Sequence, residues 1–169
     1  MKITLIYNLV IKQSTNFNKN FLKPRFFICF FFNLHLHIIY LKMSIKSSQT
    51  LVQEALKVVK TITPQEALEK LKNKQCNLID IRDALELHRE GRIENSYHIP
   101  RGLLEFSIHP NSPHIEKEKL DLNKEIVLFC AAGGRSALAA KTLKDMGFEK
   151  VSHVEGGFSL MQYSGFKVK

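Results

Sequence analysis

The sequence predicts an α/β fold with a mostly parallel sheet covered by helices on both faces. Three observations lead there. Short apolar runs at 77–81, 126–129 and 151–154 have the length of buried strands. Amphipathic, helix-period segments separate them, so the order alternates strand, helix, strand, helix, as a crossover-connected parallel sheet requires. Small or charged residues gather where these runs end, at 80–83, 100–102 and 130–135. In open α/β sheets that C-terminal edge is where ligands bind.

Taken in order after Met43, residues 47–59 read as a short helix running into an extended piece, with Leu51, Ala55 and Val58 on one face. Thr63 is an N-cap, Pro64 suits the first helical position, and Glu66 completes a capping box. That helix turns Ala67, Leu68 and Leu71 inward and ends at Asn73-Lys74. Residues 77–83 form a core strand that delivers charged residues at its end. One or two helical turns at 84–90 are closed by Gly91. Tyr97-His98-Ile99 is extended and stopped by Pro100. Residues 101–106 form a short helix, and 107–123, with Pro110 and Pro113, are mostly loop, long enough to shape a binding rim. A strand at 126–129, a helix from Ser136 to Gly147, a strand at 151–154 and a helix at 158–163 follow. Cys76 reads as a core residue beside a strand. No internal repeat is present.

Composition narrows the function classes. The 169 residues make room for one ordinary domain. Of the formal +9 charge, most belongs to residues 1–42, which hold six Lys or Arg and no acidic residue; beyond Lys42 the chain has 19 basic and 16 acidic residues. Those later charges alternate in sign and form no basic stripe, which argues against nucleic acid as a partner. Cys29, Cys76 and Cys130 are far apart and show neither a CxxC pair nor a disulfide framework.

Residues 1–42 stand apart. They contain seven of the twelve Phe and no Gly or Ala. The most apolar run, 26–41, is shorter than a membrane span and is interrupted by Asn33, His35 and His37. No small-residue cleavage signature follows it. Three readings stand: an upstream extension with Met43 as the true start, a membrane or targeting segment, or a disordered or added packed element. Membrane contact, if any, would run through 26–41; without that segment the domain reads as cytoplasmic. The catalytic domain is expected to need none of it. His35 and His37 have metal-like spacing but no Cys or acidic neighbour, so no metal site is expected.

The chemistry concentrates in the strand, loop and helix spanning 125–146. The apolar strand runs into Cys130, Ala131-Ala132-Gly133-Gly134 form a tight turn, and a helix begins near Arg135-Ser136. Free N–H groups and partial positive charge at a helix N-terminus favour a thiolate, which makes Cys130 the candidate nucleophile. The small residues let the loop amides, Ala131 through Ser136, converge as an anion nest. Such a cradle can steady a thiolate and then a persulfide, or hold a tetrahedral oxyanion as in cysteine-dependent phosphatases. Four residues between Cys130 and Arg135 favour the smaller guest. A packed cysteine before a tight turn is the bland alternative.

Supporting candidates lie along the same edge. Arg135 supplies positive charge at the rim or braces a carboxylate. Asp80 holds the loop by accepting backbone or Arg hydrogen bonds, or caps the next turn. Arg82 pairs with these acids or attracts anions, and Arg101 is a rim residue for an anionic donor. His98 and His153 read as structural, because a persulfide-forming thiolate needs no dedicated general base.

These residues resemble the single-domain rhodaneses, a family of sulfurtransferases, from about residue 60 to 169. The resemblance rests on Leu78-Ile79-Asp80-Ile81-Arg82, on Glu86 followed by 91–100, on the loop 127–136, and on Val154-Glu155-Gly156-Gly157. It implies a five-stranded parallel sheet and a leading helix at 43–59 outside the family domain. It also implies that Cys130 takes a sulfane sulfur from a donor such as thiosulfate and passes it, as a persulfide, to a thiol or cyanide-like acceptor. No cofactor is implied. The related dual-specificity phosphatases have a loop one residue longer. The chain departs from the family pattern at Arg92, Glu94, Asn95-Ser96 and Met161, all structural positions. Ala131 is neutral where thiosulfate-using members often carry Arg or Lys, which opens protein persulfides and glutathione persulfide as donors. A catalytically silent binding module is the competing class, and a phosphatase the third.

Overall fold

The computed structural model describes residues 45–112 and 120–169. The expectations for residues 1–42, including the run 26–41 and the pair His35 and His37, lie outside the described residues. The compact unit Lys46–Lys169 contains a five-stranded sheet of order β1-β5-β4-β2-β3, every neighbouring pair parallel. Its strands are β1 (Lys60–Ile62), β2 (Cys76–Asp80), β3 (Tyr97–His98), β4 (Glu125–Phe129) and β5 (Val151–Val154). The helices are α1 (Ser48–Leu56), α2 (Pro64–Lys72), α3 (Ala84–Glu90), α4 (Leu104–Ile108), α5 (Gly134–Asp145) and α6 (Gly157–Met161). A 3-10 turn at Arg101–Leu103 leads into α4, so the helix expected at 101–106 starts with a tighter winding.

Alternation along the strands builds two cores, one per face. Ile79, Ile81, Ile126, Leu128 and Val151 pack with Leu104 and Ile108 of α4 and with Ala139, Ala140 and Leu143 of α5. On the other face Leu78, Val127, Phe129 and Val154 pack with Ala67 of α2 and with Phe158 and Met161 of α6. The central strands β2 and β4 are therefore apolar on both sides, which is why they read as continuous hydrophobic runs. No helix among the described residues is long and apolar enough to cross a membrane.

Several local expectations are corrected. Ala55 of α1 is buried, but Leu51 of α1 and Val58, two residues past its end, are 41% and 52% exposed. The inward stripe is Val52, Ala55 and Leu56, at i, i+3 and i+4, and Val52 is the residue that approaches α5 at Gly134. At α2, Thr63 Oγ1 accepts from Glu66 N at 3.2 Å, but the Glu66 carboxylate turns to Lys60 instead of closing the box. The reciprocal bond occurs at α3, where the Glu86 carboxylate accepts from Asp83 N at 3.0 Å. β2 stops at Asp80 and does not run to Asp83, because Asp80 Oδ1 accepts from Arg82 N at 3.0 Å and turns the chain locally. The C-terminal tail, unassigned from sequence, pairs antiparallel with the segment after α3: Arg92 and Lys169 exchange backbone hydrogen bonds, and Glu94 N donates to Lys167 O at 2.8 Å.

Candidate active site

β4 is the central strand, and the chain leaves it at Cys130. The turn that follows is short because Gly133 adopts φ +93°, a left-handed value that glycine takes without cost, and α5 begins at the next residue. This geometry returns Gly133 N to the cysteine, where it donates to Cys130 Sγ at 3.2 Å. Ser136, in the first turn of α5, places its Oγ 3.6 Å from the same sulfur and donates to Gly133 O at 2.9 Å. Cys130 is 1% exposed, so the sulfur lies beneath its own loop.

The loop is gripped from outside by α6. Phe158 N donates to Cys130 O at 2.7 Å and Ser159 N to Ala131 O at 3.0 Å, with Ser159 Oγ adding a second bond to Ala131 O. A trans peptide sets its C=O and N–H on opposite sides. Turning these two carbonyls toward α6 therefore turns the N–H groups of Ala131 and Ala132 away from it. Close approach is permitted by Gly157, at φ +55°, whose Cβ would stand 2.2 Å from Cys130 O.

Arg135 is a brace. Its two terminal nitrogens donate to the two oxygens of Glu86, each at 2.7 Å, and Asp83 lies 3.9 Å away. The guanidinium holds the Glu86 carboxyl down at about 2, well below its ordinary 4.5, and the same pairing raises Arg135. Glu86 belongs to the motif that carries the family resemblance but not to the expected site residues; its place as N3 of a capping box at α3 is a second local signal.

Asp80 and Arg82 form a buried pair rather than a loop contact. Both side chains are fully buried, with Arg82 Nη2 2.8 Å from Asp80 Oδ2 and Nε bonded to both carboxylate oxygens. Arg82 also donates to Glu90 and to Gly91 O, and its guanidinium lies 3.8 Å from the ring centroid of Phe158. Of its two expected roles, ion pairing is the one the structure places; with no exposed surface it does not reach an anion in solvent. The pair instead seats Phe158, the first residue after Gly157 in α6. Arg101 is partly exposed, pairs with Glu105, and its Nη2 lies 3.4 Å from Thr142 Oγ1 on α5. His98 Nε2 bonds Arg82 O at 2.8 Å. His153 is 3% exposed on β5, with Nδ1 3.5 Å from Ser136 Oγ and Nε2 2.9 Å from Thr61 Oγ1. Cys76 is distant from the loop, on β2 at the opposite end of the sheet; burial, with the Glu125 carboxylate, pushes its thiol up to about 11. Among the described residues no three His, Cys, Asp or Glu side chains assemble as a metal site.

A cysteine at the end of a central parallel strand, bonded by the amide of a four-residue turn at a helix N-terminus, defines a class: α/β proteins that carry a cysteine on a tight loop at the C-terminal edge of a parallel sheet. Residues 63–163 match the model of the rhodanese family, the rhodanese-like domain, and the chain belongs to that family. It is 31% identical over 97 residues to the thiosulfate sulfurtransferase GlpE of Glaesserella parasuis serovar 5 (strain SH0165), covering 57% of this chain and 81% of that protein. Among solved structures it is similar to RPA3614 of Rhodopseudomonas palustris CGA009, a protein of unknown function described as a possible tyrosine phosphatase. That likeness has 37% identity, a TM-score of 0.67, and covers 75% of this chain and 98% of that one. The polysulfide-sulfur transferase homodimer of Wolinella succinogenes matches at 33% identity and a TM-score of 0.56, over 70% of this chain and 83% of its own.

Proposed function

We propose that this chain is a sulfurtransferase that carries a sulfane sulfur as a persulfide on Cys130. The Cys130 thiolate attacks the outer sulfur of the donor; a new S–S bond forms, the donor's S–S bond breaks, and sulfite or a thiolate leaves with the electron pair. A thiol or cyanide-like acceptor then attacks the outer sulfur and regenerates the thiolate. The donor is a small anion such as thiosulfate, or a protein or glutathione persulfide, and the chemistry calls for no cofactor. The observation that carries this reading is the 3.2 Å bond from Gly133 N to Sγ within a loop whose outer carbonyls are held by α6. Amides of Ala131 to Ser136 are assigned to the outer sulfur of the persulfide. We place Met43 onward as the working unit, with 60–169 as the family domain and 43–59 as its leading helix.

A phosphatase reading is favoured by the description of RPA3614, but the site opposes it. A phosphoryl group with three equatorial oxygens asks for a wider ring and a free guanidinium. Here both terminal nitrogens of Arg135 are engaged by Glu86.

The test is intact mass with peptide mapping after exposure to thiosulfate or glutathione persulfide. One sulfur is expected on Cys130 and none in Cys130→Ser, which should unfold at the wild-type temperature. Cys76 should alkylate slowly. Sulfur transfer unchanged in Cys130→Ser, or hydrolysis of an aryl phosphate without sulfur uptake, would reject the assignment.

A further inference from the structure

We propose that His153 is a positioning residue that withdraws the proton of the Cys130 thiol through Ser136 and releases it at the sheet edge through Thr61. The proposal rests on Cys130 being the nucleophile, and concerns how a thiol under a closed loop loses its proton.

The need comes from burial. Cys130 is 1% exposed and Ser136 fully buried, so the resting thiol makes almost no direct contact with bulk water. Among the described residues a continuous polar path from Sγ runs through side chains on three elements. Sγ to Ser136 Oγ is 3.6 Å, Ser136 Oγ to His153 Nδ1 is 3.5 Å, and His153 Nε2 to Thr61 Oγ1 is 2.9 Å. Thr61 is exposed, on edge strand β1. The alignment follows from the fold. His153 lies two residues from Val151 and so shares its face of β5, the face covered by α5. Its parallel register partner on β1 is Thr61.

The relay uses the Nε2–H tautomer of His153, and that tautomer gives the direction of transfer. With Nε2–H donating to Thr61 Oγ1, Nδ1 keeps a lone pair toward Ser136. Ser136 has one hydroxyl proton, which rests on Gly133 O at 2.9 Å and is free to swing to Nδ1. In the step, the Sγ–H bond breaks with its electron pair left on sulfur. That proton passes to Ser136 Oγ as the Ser136 proton passes to Nδ1. The imidazolium then releases its Nε2 proton through the Thr61 hydroxyl to water. No group is oxidised or reduced, and the path runs backward when the thiol is re-formed.

The relay requires a neutral imidazole. Around His153 stand the Thr61 hydroxyl from β1, the Ser136 hydroxyl from α5 and apolar Leu128 as its register partner on β4; the charged group acting on it is the carboxylate of Glu155. Burial outweighs that carboxylate and lowers the His153 pKa, which keeps the ring neutral through the neutral range.

The experiment measures, in the full chain from about pH 5 to 9, two rates. One is iodoacetamide alkylation of Cys130, mapped by peptide; the other is single-turnover sulfite release from thiosulfate. Both should fall on the acid side in wild type. His153→Gln should slow both at least ~10-fold at neutral pH and remove the acid limb that His153 sets. Thr61→Val, an exposed edge substitution, should depress both rates in the same direction without altering thermal unfolding. A His153→Gln that fails to fold leaves Thr61→Val as the deciding variant. Wild-type rates and profile in either folded variant overturn the relay. If alkylation depends on His153 but wild type releases no sulfite and gains no sulfur, the relay stands and the sulfur-transfer reading falls.

Discussion

Gly157→Ala tests the idea that the loop after Cys130 is shaped from outside. The new Cβ would stand 2.2 Å from Cys130 O, 2.9 Å from Ala131 O and 3.0 Å from Ala131 C, all backbone atoms that no rotamer change relieves. A side chain at the left-handed φ of Gly157 costs about 1–2 kcal/mol. Overpacking adds about 1–3 kcal/mol. Relief by moving α6 stretches the bonds from Phe158 N and Ser159 N, each contributing about 1 kcal/mol. The sum is about 4–7 kcal/mol, and its lower end alone lowers the melting temperature by roughly 15 °C in a domain of this size. Gly156→Ala provides the graded comparison: its Cβ meets Leu160, a half-exposed side chain that can swing aside. Gly102→Ala is the neutral reference, with no atom within 4 Å. Thermal unfolding and Cys130 alkylation of the three variants are compared with wild type. The expected order of loss is Gly157, then Gly156, then Gly102. A Gly157→Ala protein that melts within a couple of degrees of Gly102→Ala and keeps its alkylation rate would refute the argument.

Two further outcomes follow from the charges. Glu86 has its folded-state pKa depressed from 4.5 to about 2, so the stability it contributes is complete above about 4.5 and is lost as pH falls through about 2. With Arg135 40% exposed, solvent screening reduces that contribution to about 1–2 kcal/mol. Urea midpoints should therefore separate wild type from Glu86→Gln at pH 7 and converge near pH 2; a constant separation would contradict the pairing. Asp80→Asn leaves the buried Arg82 guanidinium without its full counter-charge and should destabilise by about 3–5 kcal/mol. Adding Arg82→Met should recover part of that loss, and a double variant worse than Asp80→Asn would count against a burial-dominated pair.

Much of the frame was legible because it depends on local signals. The run 151–154 coincides with β5, Thr63-Pro64 opens α2, and Gly91 closes α3, each set by burial pattern or cap chemistry within a few residues. Cys130 and the turn after it were legible for the same reason. What was not legible depends on distant partners. The side of α1 that faces inward is fixed by α5, so periodicity alone chose Leu51 and Val58 over Val52. The partner of Arg135 depended on where Glu86 would lie, and no spacing rule pairs residues 49 apart in sequence; the Arg82–Asp80 pair, two residues apart, was legible as one of the expected roles of both residues. The hold of α6 on the loop carbonyls is made mostly by main-chain atoms and leaves Gly157 and the Ser159 hydroxyl as its traces. The C-terminal pairing with Arg92 and Glu94 is likewise written in backbone bonds.

The grip of α6 on the backs of Cys130 and Ala131 has a consequence for how such a site can diversify. Clamp and contents are separate. The carbonyl pair is fastened by the residues after β5, while the length of the turn is set by the residues between Cys130 and Arg135. A single insertion in that interval would lengthen the turn and leave the fastening in place, so the loop can change size without a new scaffold.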